Sequence, residues 1–200
     1  MLFLLALLAG PAHAGDGAAA TTAVLRRPVA SHPVFELRAG VDARPGGPGE
    51  GPARPYLCGE LTPVARVGIE ACGNGAGVLQ DQQLSDFAHF RARVTAVQKQ
   101  VGRWDVDVLA GVGWAEVQRG QDAAGFRFGV AEAGAVEAAG AEASASVKGR
   151  AWIHDRVYGT VDLNVGTAVI PGAPEVLASP RATGPGPVVP FGSITAGVGF

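Results

Sequence analysis

Apolar and polar residues alternate along most of this chain. A period of two is that of a β-strand, because successive side chains of a strand point to opposite faces. In the segment 104–117, one face carries Trp104, Val106, Val108, Ala110, Val112 and Trp114. The other face of that segment carries Asp105, Asp107, Gly111 and Gly113. The pattern therefore predicts an all-β protein whose sheet has two chemically different faces.

The alternation divides the chain into strands and connections. It predicts eight strands, at 34–43, 55–62, 66–79, 87–100, 104–117, 140–153, 156–169 and 189–200. The short connections are 63–65, 101–103 and 154–156, and they alternate with longer ones at 44–54, 80–86, 118–139 and 170–188. This rhythm is typical of an antiparallel up-and-down β-barrel with short turns at one end. Ten strands remain an alternative if 118–139, which contains Phe126 and Phe128, splits into a hairpin.

Composition excludes two broad classes of protein. Hydrophobic residues make up 48% of the chain and charged residues only 17%, with a mean hydropathy of +0.21. A chain of this kind is too apolar to be disordered as a whole. A formal net charge of −2 gives no electrostatic attraction for nucleic acid, so we expect no nucleic-acid partner.

The polar faces of the predicted strands carry charges of both signs. The acids on these faces are Glu36, Asp42, Glu60, Glu70, Asp105, Asp107, Glu142 and Asp162, and the bases are Arg38, Arg66, Arg91, Arg93, Lys99, Lys148 and Arg150. Near balance favours a closed polar interior in which charges pair. We expect an interior charge network formed by Arg91, Arg93, Asp105, Asp107, Lys148, Arg150 and Asp162. In the 154–156 hairpin, Lys148 falls opposite Asp162.

The apolar faces indicate a membrane rather than a soluble core. Trp104 and Trp114 share a face ten residues apart. Ten residues rise ~33 Å, and a strand tilt of ~40° projects this to ~25 Å, the height of the apolar band of a membrane barrel. The two residues are therefore predicted to form an aromatic girdle. In the alternative, a secreted soluble β-sandwich, both would be core residues, but a strand of fourteen residues is long for a sandwich.

Two cysteines lie on either side of a predicted tight turn. Pairing residues whose numbers sum to 130 places Cys58 opposite Cys72 and Glu60 opposite Glu70. The sequence thus predicts a cross-strand disulfide, with two reduced thiols as the alternative. No CxxC or HxxxH spacing supplies further ligands, so we expect no metal. Arg66 is the base expected to neutralise the two glutamates.

The first residues resemble an export signal. Leu2–Leu8 is a short apolar run, and Ala12, His13 and Ala14 follow it as a small-x-small site. We interpret residues 1–14 as a signal peptide cleaved after Ala14, although no basic residue precedes the apolar run. Residues 15–33 are interpreted as a disordered lead-in.

The end of the chain carries a resemblance to a known family. The segment 194–200 alternates up to a terminal aromatic, Phe200. Together with the signal peptide and the strand rhythm, this resembles small bacterial outer-membrane β-barrel proteins of the OmpA/OmpX-like eight-stranded class. The resemblance implies a barrel over 34–200 in the outer membrane of a Gram-negative bacterium, surrounded by outer-membrane lipid. It also implies that the barrel-assembly machinery reads Phe200.

No constellation of residues points clearly to an enzyme. Ser85, Asp86 and His89 lie close enough in sequence for a hydrolytic arrangement, but a loop serine and an interior histidine explain them better. We predict a non-enzymatic, monomeric barrel with no catalytic residues and no cofactor, in a structural or loop-mediated interaction role. A lipid-modifying enzyme, a narrow pore and a secreted soluble β protein are the alternatives.

Overall fold

The computed structural model describes residues 34–44, 53–74, 85–119, 126, 128–129, 136–177 and 187–200. Eight antiparallel strands follow one another in chain order, and the last pairs with the first to close a barrel. The strands are β1 (Val34–Ala43), β2 (Ala53–Val64), β3 (Val67–Gly73), β4 (Ser85–Val101), β5 (Trp104–Arg119), β6 (Glu137–His154), β7 (Val157–Val169) and β8 (Val188–Gly199). The predicted eight-stranded up-and-down barrel is confirmed.

The ten-strand alternative finds no support in the described residues. β5 continues to Arg119 and β6 begins at Glu137. Between them, Phe128 makes an isolated bridge to Ala139 rather than a further strand. The predicted signal peptide (1–14) and lead-in (15–33) lie outside the described residues, as do residues 75–79 of the third predicted strand.

Two-residue turns at 65–66, 102–103 and 155–156 join the strands at one end, which we name the short-turn end. Many tight hairpins contain a residue with positive φ, because such angles match the right-handed twist of the strands. Arg66 and Gly102 supply them, with φ of 71° and 59°. The opposite end, which carries the longer connections, is named the long-loop end.

The apolar face of the barrel points outward. Val112 in the middle of β5 is 64% exposed, whereas Asp105 and Asp107 on the same strand are 5% and 3% exposed. A soluble sandwich would show the reverse, with its valines covered and its aspartates in water. The closed barrel and this orientation exclude the stacked-sheet alternative.

One strand changes face along its length. β4 contains a bulge between Thr95 and Val97, so that Val97 pairs with Val108 and Gln98 with Asp107. A bulge adds one residue and therefore reverses the inward and outward alternation beyond it. Lys99, which the simple alternation placed on the polar inner face, consequently lies exposed on the outside. That prediction was wrong.

An apolar cluster fills the long-loop end. The connection between β7 and β8 contains a short helix, α1 (Ala173–Leu177), which contacts β5 and β6. Its residues Ala173 and Val176 are buried together with Ile170, which follows β7, and with inward residues of the strands, among them Phe87, Val117 and Phe191. We call this cluster the apolar plug. Within the described ranges, no helix has the length and apolar character needed to cross a membrane.

The outward apolar face generates a prediction about membrane stability. Val112→Arg places a charge at mid-height on the lipid-facing side, where it is expected to cost about 2–4 kcal/mol of folding free energy. Ile153→Arg is the matched control, because Ile153 is 71% exposed but lies beside a turn at the short-turn end. There the expected cost is about 0–1 kcal/mol. Reversible unfolding in lipid vesicles measures both; equal costs would contradict the membrane orientation.

Candidate functional site

The interior of the barrel concentrates the charged residues of the chain. The buried charged residues that point inward from the strands include Glu36, Arg38, Glu60, Glu70, Arg91, Arg93, Asp105, Asp107, Glu142, Lys148 and Asp162. They share this side because inward positions recur every second residue along each strand. Carboxylates and bases from all parts of the chain are thereby brought into one space.

Two arginines bind the same three carboxylates at the centre. Arg93 donates hydrogen bonds to Glu60 at 2.9 Å, to Glu70 at 2.6 Å and to Asp162 at 2.6 Å. Arg38 donates to Asp162 at 2.6 Å and to Glu60 at 2.9 Å, and it also bonds Glu70. We call these five residues the central cluster. It joins strands β1, β2, β3, β4 and β7 across the lumen.

Lys148 extends the central cluster toward the short-turn end. It stands opposite Asp162 in the register of β6 and β7, at the pairing expected from the sequence. Its ammonium group, however, bonds Glu36 at 2.9 Å and Glu60 at 2.7 Å. The hydroxyl of Tyr158 donates to the other oxygen of Glu36 at 2.7 Å.

The prediction that Arg66 neutralises Glu60 and Glu70 was wrong. Arg66 occupies the β2–β3 turn and is exposed. The two glutamates do lie opposite each other, as predicted, but Arg38 and Arg93 reach both of them from other strands. Arg66 lies at the mouth of the lumen beside the turn, and bases on other strands pair with the two glutamates instead.

Asp105 and Asp107 lie nearer the short-turn end. Arg150 donates to Asp107 at 2.5 Å, and the indole nitrogen of Trp152 donates to Asp105 at 3.1 Å. The structure therefore separates the seven predicted network residues into neighbouring groups along the lumen. Arg93 and Asp162 belong to the central cluster, while Asp105, Asp107 and Arg150 form a layer below it.

Above the central cluster, charged groups meet the apolar plug. Arg91 donates to Glu70 at 2.5 Å and lies 3.7 Å from Glu142. A hydrogen bond joins Nδ1 of His89 to Glu142. The His89 ring packs against Phe87 and Phe191, each with a centroid distance of 4.4 Å. His89 thus lies at the boundary between the ion pairs of the lumen and the apolar plug.

Cys58 and Cys72 form a disulfide, with their Cα atoms 4.1 Å apart. They occupy directly opposed positions of β2 and β3 and are buried beside Tyr56 inside the barrel. Among the described residues, the one group with metal-ligand spacing is Cys58, Glu70 and Cys72. Because both sulfurs are bonded to each other, neither offers the thiolate that a metal would need.

The structure does not assemble a hydrolytic triad from Ser85, Asp86 and His89. The hydroxyl of Ser85 accepts a hydrogen bond from Arg44 at 3.3 Å. Asp86 accepts one from the backbone N–H of Asn74 at 2.8 Å. His89 is paired with Glu142, and Phe87 stands between it and Ser85 on the inner face. Each member is therefore engaged elsewhere.

The two tryptophans predicted to form a girdle, Trp104 and Trp114, lie on the outer face at different heights. Trp104 begins β5 at the short-turn end. Trp114 packs against Phe90 at 5.1 Å and Phe126 at 5.8 Å, nearer the long-loop end. Phe200 exchanges backbone hydrogen bonds with Phe35, and the two rings pack edge to face at 5.7 Å. The chain end is thereby fixed at the seam between β1 and β8.

Sequence reasoning did not select several residues that dominate the interior. Glu36, Arg38, Glu60, Glu70 and Glu142 were recognised as charges on polar faces but not as members of the network. The signal available in the sequence was that these residues occupy alternate positions of their strands, on the polar face. Their partners depend on which strands meet across the closed lumen, and hairpin registers alone do not contain that information.

Comparison with one solved structure, that of a Neisserial surface protein, supports the fold. Neisserial surface protein A (NspA) resembles this chain with a TM-score of 0.54 and 7% identity, over 83% of this chain and 94% of that one. Ail, the attachment invasion locus protein of Yersinia pestis, covers 85% of this chain and 100% of its own, with 11% identity and a TM-score of 0.36. Both are small eight-stranded outer-membrane β-barrels. No family model and no curated protein matches the sequence.

The central cluster generates a prediction about stability. Arg93→Ala removes the partner of three buried carboxylates and is expected to lower the free energy of unfolding by about 3–5 kcal/mol. Lys99→Ala is the matched control on the same strand, because Lys99 is exposed; an exposed substitution changes stability by at most about 0.5 kcal/mol. Urea unfolding in detergent micelles measures the difference. Similar values for the two variants would contradict a structural role for the cluster.

The disulfide generates a second prediction. Cys58 and Cys72 are separated by 14 residues, and a loop of this size is worth about 3 kcal/mol of stability on the chain-entropy model. The double variant Cys58→Ala/Cys72→Ala should lose about that amount relative to the oxidised protein. Mass spectrometry after alkylation of the unfolded protein should find two thiols only when a reductant is present. Two thiols without reductant would contradict the disulfide.

Proposed function

We propose that this chain is a non-enzymatic outer-membrane β-barrel protein with a sealed interior and a structural or loop-mediated interaction role. The observation that carries the proposal is the inverted barrel, which exposes valine and leucine on the outside and encloses ion pairs. In water, that exterior would be an apolar belt far larger than soluble monomers expose. In lipid, it is the expected surface of a transmembrane barrel.

The sealed interior argues against a pore. Eight strands leave a lumen that side chains fill. Here the central cluster spans the lumen with hydrogen bonds of 2.6–2.9 Å, and the apolar plug fills the long-loop end above it. A hydrated ion would have to displace buried ion pairs to pass. This arrangement favours a barrel that contributes its surfaces and loops rather than a conduit.

An enzymatic role has less support. Ser85, Asp86 and His89 bind separate partners, and His89 lies buried beneath the apolar plug. A lipid substrate would approach from the outside of the barrel, where the described surface is apolar. Turnover of lipid A or phospholipid that His89→Ala abolishes would instead favour a lipid-modifying enzyme.

The proposal places the protein in the outer membrane of a Gram-negative bacterium, as a monomer. Export would use the signal peptide of residues 1–14, cleaved after Ala14. Assembly would proceed through the C-terminal strand, in which Phe200 is exposed on the outer face and accessible to the barrel-assembly machinery. Outer-membrane lipid is then the partner of the apolar belt, and the long loops face outward.

Fractionation of a Gram-negative host that expresses the full chain tests this proposal. The protein should be recovered with the outer membrane, and its detergent-solubilised form should migrate faster on gels before heating than after it. N-terminal sequencing of the membrane form should begin at Gly15. Recovery in the aqueous fraction without detergent would contradict the proposal and favour a secreted soluble β protein.

Conductance measurements test the sealed interior. The wild-type protein in planar bilayers should give no steady single-channel current, because the central cluster blocks the lumen. Val176→Asp, which places a charge in the apolar plug, should also remain silent, since the central cluster lies below the plug. A porin in the same chamber is the positive control. Steady conductance from the wild type would favour a narrow pore instead.

A further inference from the structure

Four aromatic rings form a continuous surface on the outside of the barrel near the long-loop end. Phe90 of β4 and Trp114 of β5 are directly opposed, with ring centroids 5.1 Å apart. Trp114 packs edge to face against Phe126 at 5.8 Å, and Phe126 stacks on Phe128 at 6.2 Å. We call these four residues the aromatic patch. Because Phe126 and Phe128 belong to the connection between β5 and β6, the patch combines two strands with a connection.

The rings of the aromatic patch stay exposed although they contact one another. Their exposed fractions range from 36% for Trp114 to 63% for Phe128. Rings that formed a core of their own would cover each other, whereas these present a common surface to the surroundings. A contiguous exposed apolar surface marks a site of contact with another protein or with a membrane.

The outer wall of the barrel beside the patch is covered by protein. Glu116 of β5 and Ala139 of β6 pair with each other and occupy outward positions, because Trp114, two residues before Glu116, points outward. Ala139 is nevertheless fully buried, and Glu116 is 9% exposed. Phe128 makes a backbone bridge to Ala139. The part of the connection that carries Phe128 is therefore held beside the barrel and does not project away from it.

The position of the patch along β5 favours lipid as its partner. On the side of the barrel middle, the patch continues into the apolar belt, where Val112 is 64% exposed. On the side of the long-loop end, Glu116 and Arg119 follow Trp114 along the strand. The four rings thus lie where the apolar belt gives way to polar residues. Tryptophan and phenylalanine side chains at such a border insert between lipid headgroups and acyl chains.

We propose that the aromatic patch is a lipid-docking surface, in which Phe126 and Phe128 enter the membrane interface beside Phe90 and Trp114 and hold the β5–β6 connection against the bilayer. The inference rests on the proposed location in an outer membrane, where the long connections lie at the outer leaflet. It divides the long connections by role. This connection contacts lipid, which leaves the others to meet a soluble partner.

Quenching of tryptophan fluorescence by brominated lipids tests the proposal. In the full-length protein, Trp104, Trp114 and Trp152 are replaced by phenylalanine, and Phe128→Trp supplies the only tryptophan. The protein is refolded into phosphatidylcholine vesicles whose acyl chains carry bromine either near the glycerol or near the methyl end. Bromine near the glycerol should quench Phe128→Trp more strongly. Val112→Trp in the same background is the matched control, and bromine near the methyl end should quench it more strongly.

The control separates the proposal from the membrane location on which it rests. If neither lipid quenches Val112→Trp, the membrane location and the docking surface are both overturned. If Val112→Trp is quenched but Phe128→Trp responds only to iodide in the water, the docking surface alone is overturned, because the ring then faces solvent. Quenching of Phe128→Trp by neither lipid nor iodide also overturns it, since protein, for instance a second copy of the chain, then covers the ring.

A second variant keeps the test decisive if Phe128→Trp does not fold. Phe126→Trp in the same background should show the same preference for bromine near the glycerol, because the two rings stack on each other. Heat-modifiable migration verifies that each variant forms the barrel. Folded Phe126→Trp that responds to iodide and not to either lipid would overturn the proposal in the same way.

Discussion

The ion pairs inside the barrel are the interaction on which the rest of the structure depends. Because the side chains of a strand alternate between its two faces, the charged residues that alternate with the apolar outer ones point into a narrow lumen. A buried charge without a partner costs several kcal/mol, so the lumen is tolerable only if acids and bases meet there. Arg38 and Arg93 satisfy this requirement by sharing Glu60, Glu70 and Asp162. The closed barrel and the pairing of its interior charges therefore depend on each other.

The two ends of the lumen differ because the connections differ. At the long-loop end, the β7–β8 connection is long enough to return α1 into the mouth, where it joins Phe87 and Phe191 in the apolar plug. At the short-turn end, the two-residue turns are too short to fold back over the lumen. Polar side chains there surround a cavity of about 180 Å³. The described part of the lumen is thus apolar at one end and polar at the other.

Hairpin geometry explains which parts of the site were predictable. Within a hairpin, the turn fixes the register, and the alternation fixes the face. These two rules are enough to place Cys58 opposite Cys72, and Lys148 opposite Asp162. They fail beyond the bulge at Thr95, and they do not choose among several carboxylates within reach of one long side chain. Lys148 accordingly bonds Glu36 and Glu60.

The sequence by itself determined the number of strands, the short and long connections and, away from turns and bulges, which residues face inward, because these follow from a local period of two. Only the tertiary structure decided which acids and bases form ion pairs inside the barrel. Closure of β8 on β1 brings Arg38 to Asp162 across 124 residues and Lys148 to Glu36 across 112. Such contacts depend on the stagger of the whole barrel, which is the sum of all its registers and bulges. No single segment of the chain contains that sum.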